Sequence, residues 1–127
     1  MNKVADFFNS ASFAVVGATD RTHKWGYKIF KRMEQLGKPV FPIHPKVTAI
    51  DGVKAYPTLK DLPQKPEAVD IIVPPEAALK VLEQCKNLGI TKVWLQPGAE
   101  SEEAITYAEN NGISLVYDDC VLRHPEY

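Results

Sequence analysis

Short apolar runs alternate with helical patterns along most of the chain. The run at residues 13–16 ends directly at Gly17, and the run at residues 69–73 ends at a pair of prolines. Short runs rich in β-branched residues are typical of strands that are buried on both faces of a sheet. The pattern predicts five strands, at residues 13–16, 40–43, 69–73, 92–95 and 114–117.

Helical periodicity fills the spaces between these strands. Between residues 76 and 88 the apolar side chains recur every three or four positions, and Gly89 is placed to end that helix. Similar patterns predict a helix at residues 27–36, which Gly37 ends, and one from the N-cap Ser101 to about residue 110. The remaining predictions are a single helical turn at residues 58–62, a turn at Asp51 and Gly52, and an irregular tail from residue 118.

The alternation of strands and helices determines the predicted fold class. Strands that are joined by helices run parallel, and the helices then cover both faces of the sheet. The chain is therefore predicted to be α/β, a single Rossmann-like, doubly wound, parallel five-stranded sheet in the order 3-2-1-4-5. Pro42 is awkward in this scheme, because proline cannot donate a hydrogen bond inside a sheet.

Length and composition limit the classes of protein. The chain has 127 residues and is predicted to form one domain, residues 1–127, too short for a cofactor domain plus a separate catalytic domain. A formal net charge of −1 gives no strong field, so neither nucleic acid nor a membrane is an expected partner. With two cysteines, no signal peptide and no apolar span, a cytoplasmic protein with reduced thiols is expected.

The candidate site lies where the strands end. Ligands of doubly wound sheets bind at the carboxyl ends of the strands, and a glycine such as Gly17 after the first strand lets the backbone approach a ligand. The N–H groups at the start of the following helix suit a phosphate. The rule selects five segments, at residues 17–25, 44–46, 73–75, 96–98 and 118–120.

These segments do not carry the usual dinucleotide fingerprint. Gly17 is followed by no second glycine before Gly26, so there is no G-x-G-x-x-G, and the second predicted strand ends in residues 44–46, His-Pro-Lys, rather than in a carboxylate for a ribose. Arg21 and Lys24 add positive charge to the first loop. The pattern favours a nucleotide with an additional phosphate, a description that both CoA and NADP fit.

Several segments, in this order, resemble the small CoA-binding domain proteins, which are similar to the N-terminal CoA-binding domain of the succinyl-CoA synthetase α-subunit. No single motif is decisive, but the series covers nearly the whole chain. The matching segments are FAVVGAT at residues 13–19, PIHP at 42–45, IDG at 50–52, YPTL at 56–59, LP at 62–63, VWLQPG at 93–98 and VYDDC at 116–120.

The resemblance implies roles for the matching residues. It implies that residues 17–20 hold the CoA phosphates, Lys46 the nucleotide end, residues 73–75 one wall, and residues 96–98 the pantetheine path. His44 is a departure, since the family more often has asparagine before the proline. The full predicted CoA-binding set is Gly17, Ala18, Thr19, Asp20, Arg21, Lys24, Gly26, Tyr27, His44, Pro45, Lys46, Val73, Pro74, Pro75, Gln96, Pro97 and Gly98.

Binding without catalysis is the preferred hypothesis, because the synthetase keeps its phosphorylated histidine in a second domain. CoA or acyl-CoA is then the expected partner of a carrier or regulatory module, with no catalytic and no metal-binding residues assigned. One alternative is an NADP- or NAD-binding redox-sensing module. Another is a small CoA-dependent enzyme that uses Cys120 or His44; the neighbouring Asp118 and Asp119 would raise the thiol pKa of Cys120, which disfavours a nucleophile.

Overall fold

A parallel sheet between two layers of helices forms the core of the protein. The computed structural model describes residues 2–127. In chain order the elements are α1 (Lys3–Phe8), β1 (Phe13–Val16), α2 (Trp25–Glu34), β2 (Val40–Ile43), β3 (Ala49–Ile50), β4 (Val53–Lys54), β5 (Ala68–Ile71), α3 (Pro75–Leu88), β6 (Lys92–Leu95), α4 (Glu102–Asn110) and β7 (Ser114–Val116), with 3-10 turns at Leu59–Asp61 and Val121–Arg123. The predicted fold class is confirmed.

The strand order differs from the prediction. The five parallel strands follow the order β2-β1-β5-β6-β7, which is 2-1-3-4-5 when only these strands are counted, so the predicted order 3-2-1-4-5 is wrong. Strand β2 is therefore an edge strand. The sequence pattern shows no long helix between β2 and β5. In the structure this connection contains the two-stranded antiparallel hairpin β3-β4 and one 3-10 turn.

Pro42 provides the physical reason for the edge position. Ile43 presents its carbonyl to β1, where it accepts from the Gly17 N–H at 3.0 Å, so the backbone of Pro42 faces away from β1. On that outer side the Pro42 carbonyl accepts from the Tyr56 N–H at 3.0 Å, and the His44 N–H donates to the Tyr56 carbonyl at 2.9 Å. An interior β2 would need a donor at position 42 that proline lacks.

The two faces of the sheet carry different helices. Helices α3 and α4 cover one face, where Leu82 and Ala104 lie against Val69 and Val93. Helices α1 and α2 cover the other face with buried apolar side chains, α1 over β6 and β7 and α2 over β1 and β2. These apolar side chains of α1 and α2 are Phe7, Phe8, Ile29, Phe30 and Met33.

Most local predictions agree with the structure. Gly89 ends α3 in the left-handed conformation with φ 76°, and Ser101 caps α4 by accepting from the Ala104 N–H at 3.1 Å. The helical turn after Thr58 and the turn at residues 51–52 are also present. Helix α1 was missed, because six residues are too few for a periodic pattern to be recognised. Within residues 2–127, no helix combines the length and the apolar character needed to cross a membrane.

Candidate functional site

A cleft of about 930 Å³ opens at the carboxyl ends of β1, β2 and β5. Its volume falls within the range of small-molecule sites. The cleft lies beside the strand-order switch between β1 and β5, where ligands of doubly wound sheets bind. Its lining comprises Val16, Gly17, Thr19, Asp20, Arg21, Lys24, Trp25, Gly26, Ile43, His44, Pro45, Lys46, Val47, Pro57, Thr58, Ile72, Val73, Pro74, Ala77, Val81 and Gln84.

Gly17 forms the base of the cleft where β1 ends. Its φ of 101° belongs to the region that favours glycine, and a Cβ at this position would overlap the Ile72 carbonyl. The Gly17 N–H already donates to the Ile43 carbonyl at 3.0 Å. Because its N–H is already engaged, Gly17 itself offers a ligand close backbone approach and no free N–H donor.

Helix α2 begins against this same backbone. A Cβ at Gly26 would overlap the Gly17 carbonyl, so the first turn of α2 rests directly on the end of β1. Gly26 thus allows the close packing of helix against strand that the third glycine allows in the dinucleotide fingerprint, although the loop before it is longer here. Lys24, the N-cap, provides no side-chain acceptor, and within residues 2–127 the Trp25 and Gly26 N–H groups donate to no acceptor. The open helix end faces the cleft with donors for an anion.

Positive charge is concentrated around the helix end. Arg21, Lys24 and Lys46 line the cleft, and Asp20 is the acidic residue beside them. None of the three cations takes part in an ion pair within the described part of the chain. Two cations beside the helix N-terminus and a third on the loop after β2, none of them in an ion pair, suit a ligand with several phosphate charges.

Hydrogen bonds hold the two loops that carry these charges. The Thr19 hydroxyl accepts from the Arg21 N–H at 3.3 Å and shapes the loop after β1. The His44 Nδ1 accepts from the Lys46 and Val47 N–H groups, each at 3.0 Å, so a neutral His44 carries its proton on Nε2. His44 is thus a hydrogen-bonded loop residue that sets the course of residues 44–47.

The cleft brings together most of the predicted CoA-binding residues, but six of them do not line it. Ala18 is fully buried in the core under α2, and Pro75 is the first residue of α3. The Tyr27 hydroxyl donates to Asp51 Oδ2 at 2.6 Å and ties α2 to the β3-β4 hairpin. Gln96 is fully buried and donates to Asp70, while Pro97 and Gly98 are exposed on the loop after β6.

Apart from the strand-end residues Val16, Ile43 and Ile72 and the helix residue Trp25, two parts of the lining were absent from the predicted set. Val47, Pro57 and Thr58 come from the segments that flank the β3-β4 hairpin, and Ala77, Val81 and Gln84 come from one side of α3. The spacing of the α3 residues by four and three was a usable signal, since it places them on one helix face. The residues beside the hairpin carried no periodic signal. Pro57 and Thr58 belong to a segment that resembles the family, but their position at the cleft depends on the return of the chain across the β2 edge.

Cys120 lies outside the cleft lining. Burial raises the pKa of its thiol, and the nearby carboxyls of Asp70 and Asp119 act in the same direction. The expected direction of the shift is confirmed, with burial as its main cause. A thiol of this kind stays protonated at neutral pH and is a weak nucleophile.

Comparison with known proteins identifies relatives of the chain. A model of the CoA binding domain family matches residues 11–124. The α-subunit of ADP-forming acetate–CoA ligase II of Pyrococcus furiosus is 28% identical over 91% of this chain, which spans only 28% of that subunit. The uncharacterized protein YneT of Bacillus subtilis is 28% identical, with 88% of this chain and 83% of YneT aligned.

A solved structure extends the similarity to the whole fold. A hypothetical protein from Pyrococcus horikoshii superimposes with a TM-score of 0.91 and 28% sequence identity, covering 99% of this chain and 91% of that one.

Proposed function

The chain belongs to the CoA binding domain family, and on that premise we propose that it binds CoA or an acyl-CoA in the cleft without carrying out a reaction of its own. The observation that supports this most directly is the meeting of the open α2 N-terminus with the three unpaired cations Arg21, Lys24 and Lys46. CoA carries a pyrophosphate and a 3′-phosphate, and both need cationic or N–H partners.

In this proposal the parts of CoA follow one another along the cleft. The Trp25 and Gly26 N–H groups hold the pyrophosphate at the end of β1. Arg21 and Lys24 neutralise the charge of the pyrophosphate, and Lys46 neutralises the 3′-phosphate. The adenine ring lies on the apolar lining beyond Lys46, which is formed by Val47, Pro57, Ala77 and Val81. The pantetheine arm leaves past Val73 towards the exposed loop after β6.

The named relatives also favour CoA over a dinucleotide. Relatives of this chain include acetate–CoA ligases, and a CoA-holding role for this domain agrees with that name. The backbone after β1 lacks the dinucleotide fingerprint, and no carboxylate ends β2. A carrier or regulatory role follows for the domain, with CoA or an acyl-CoA as the small-molecule partner.

Isothermal titration calorimetry tests the ligand class. We expect CoA to bind about tenfold or more tightly than dephospho-CoA, because the 3′-phosphate adds charge in a cationic cleft, and far more tightly than NAD. Binding should weaken as salt is raised, since the cations are exposed to solvent. Equal affinity for the three ligands, or preference for NADPH over CoA, contradicts the proposal.

Neutralising single lysines should locate the phosphates. We expect Lys46→Ala to weaken CoA binding by about tenfold and to remove most of the preference over dephospho-CoA. Lys24→Ala should weaken both ligands by similar factors, because the pyrophosphate is common to both. Lys80→Ala is the matched control, since it removes the same charge from an exposed position of α3 that does not line the cleft. An effect of Lys80→Ala equal to that of Lys46→Ala would show that net charge alone is being measured.

A further inference from the structure

Two buried polar side chains meet on the central strands, away from the cleft lining. Asp70 of β5 and Gln96, the residue after β6, are both 0% exposed. Gln96 Nε2 donates to Asp70 Oδ1 at 2.8 Å. The second carboxyl oxygen of Asp70, Oδ2, and the single amide oxygen of Gln96, Oε1, have no hydrogen-bond partner within residues 2–127. Two neighbouring acceptors without a donor are costly in a protein interior.

The surroundings of Asp70 offer no compensating charge. In the sheet Asp70 lies between Val15 of β1 and Trp94 of β6, on the face that α1 and α2 cover with apolar side chains. On this face the Cys120 thiol of the C-terminal segment is influenced by Asp70, Asp119 and Arg123. The other ionisable side chains packed there are His124, whose ring centroid lies 5.8 Å from that of Trp94, and Arg32 of α2, which lies over the Phe8 ring. No ion pair of the described residues includes Asp70.

One proton resolves both missing hydrogen bonds. A protonated Asp70 can donate through Oδ2–H to Gln96 Oε1 while it accepts from Gln96 Nε2 at Oδ1. A carboxylic acid and a primary amide then join through two parallel hydrogen bonds, and every polar atom of the pair is satisfied. An ionised Asp70 would instead keep an unpaired buried charge and would leave Gln96 Oε1 without a donor.

We propose that Asp70 is a neutral carboxylic acid in the folded protein and that its proton, shared with Gln96, forms a pH-sensitive latch between β5 and β6. The latch holds the start of the 96–98 loop, and Asp70 precedes the cleft residue Ile72 by two positions. Independently of this geometry, burial raises the pKa of Asp70 to about 7. Above neutral pH the proton leaves, one hydrogen bond is lost and the two strands are held less firmly at their carboxyl ends.

Carbon-13 NMR of the side-chain carboxyls tests the protonation state in the unaltered protein. We expect one aspartate carboxyl, assigned to Asp70 by its absence from Asp70→Asn, to keep the chemical shift of the protonated acid at pH 5 and to titrate near pH 7. The exposed carboxyl of Asp6 is followed in the same spectra for comparison. An Asp70 carboxyl that is already ionised at pH 5 overturns the proposal.

The pH dependence of stability provides a second test. Between about pH 4 and 7 the carboxyl of Asp70 is protonated in the folded protein but ionised in the unfolded chain. Unfolding therefore releases a proton, and the free energy of unfolding falls as the pH rises towards 7. Because of this released proton, we expect the unfolding equilibrium constant of the wild type to increase by up to about tenfold for each unit of pH between pH 4 and 7. Asp70→Asn keeps both hydrogen bonds through its amide and lacks this component.

The comparison between variants isolates the contribution of Asp70. The pKa values of Asp51 and Glu67 are lowered by hydrogen bonds to Tyr27 and Lys92 respectively, and they act in the opposite direction near pH 4, but both variants retain them. Asp6→Asn, the control, removes an exposed carboxyl and should leave the Asp70 contribution to the pH profile in place. Identical profiles for the wild type and Asp70→Asn would refute the latch even if both proteins bind CoA, so this result is separate from the fate of the proposed function.

Discussion

Replacing Gly17 with alanine should lower the free energy of unfolding by about 2–5 kcal/mol. The φ of 101° at Gly17 strains any residue with a Cβ, which costs about 1–2 kcal/mol. The new Cβ would also overlap the Ile72 carbonyl, and forcing backbone segments apart costs about 1–3 kcal/mol more. Urea unfolding followed by circular dichroism measures the loss. CoA binding should fall as well, because the base of the cleft must move.

Gly37→Ala is the matched control for this substitution. Gly37 also has a left-handed backbone, with φ 71°, but a Cβ there would meet no atom within 4 Å. The control should therefore lose only the conformational part, about 1–2 kcal/mol, and should bind CoA as the wild type does. Equal losses in the two variants would show that the close approach of β1 to Ile72 has no energetic weight.

Replacing Trp94 with alanine should lower the free energy of unfolding by about 3–5 kcal/mol. Trp94 is fully buried in β6, and its ring centroid lies 5.2 Å from that of Phe7 and 5.6 Å from that of Phe8. Its indole Nε1 donates to the Asp119 carbonyl at 2.9 Å. Truncation therefore opens a cavity and also releases the C-terminal segment from the sheet. Chemical unfolding and proteolysis of the C-terminal segment measure the two effects separately.

The second tryptophan is the natural comparison. Trp25 is 60% exposed at the mouth of the cleft, where the Lys28 ammonium lies 4.8 Å from its ring centroid. Trp25→Ala should change the free energy of unfolding by no more than about 0.5 kcal/mol, as is usual for surface substitutions. It should instead weaken CoA binding, because Trp25 lines the cleft beside the helix end that is proposed to hold the pyrophosphate. A large decrease in the free energy of unfolding of Trp25→Ala would contradict the assignment of Trp94 to the core and of Trp25 to the ligand cleft.

The elements with strong local signals could be predicted from the sequence. Helix α3 has a clear apolar stripe and a glycine at its end, and Ser101 is a recognisable N-cap for α4. The bounds of both helices were therefore predicted to within a residue or two. The loop after β1 could be assigned to the site because the position of a loop at the carboxyl edge follows from a parallel sheet alone. These inferences need only local sequence and the fold class.

The strand order and part of the site required information that local patterns carry weakly. Pro42 already disfavoured an interior β2, and weighing it more heavily would have placed that strand at the edge. Gln96 was expected near the ligand because its loop is at the correct edge, but the buried Asp70 takes up its amide. An aspartate inside an apolar strand was the available signal that some polar partner must be buried with it.

The Tyr56 pairing on the outer side of β2 has a consequence for the behaviour of the protein in concentrated solution. The Tyr56 N–H and carbonyl occupy the backbone groups of Pro42 and His44, and Pro42 has no N–H to offer. The backbone groups of β2 at these positions are therefore not available to pair with a strand from another molecule, which protects this edge of the sheet against aggregation. The opposite margin is β7, and its three residues give an intruding strand little length to pair with.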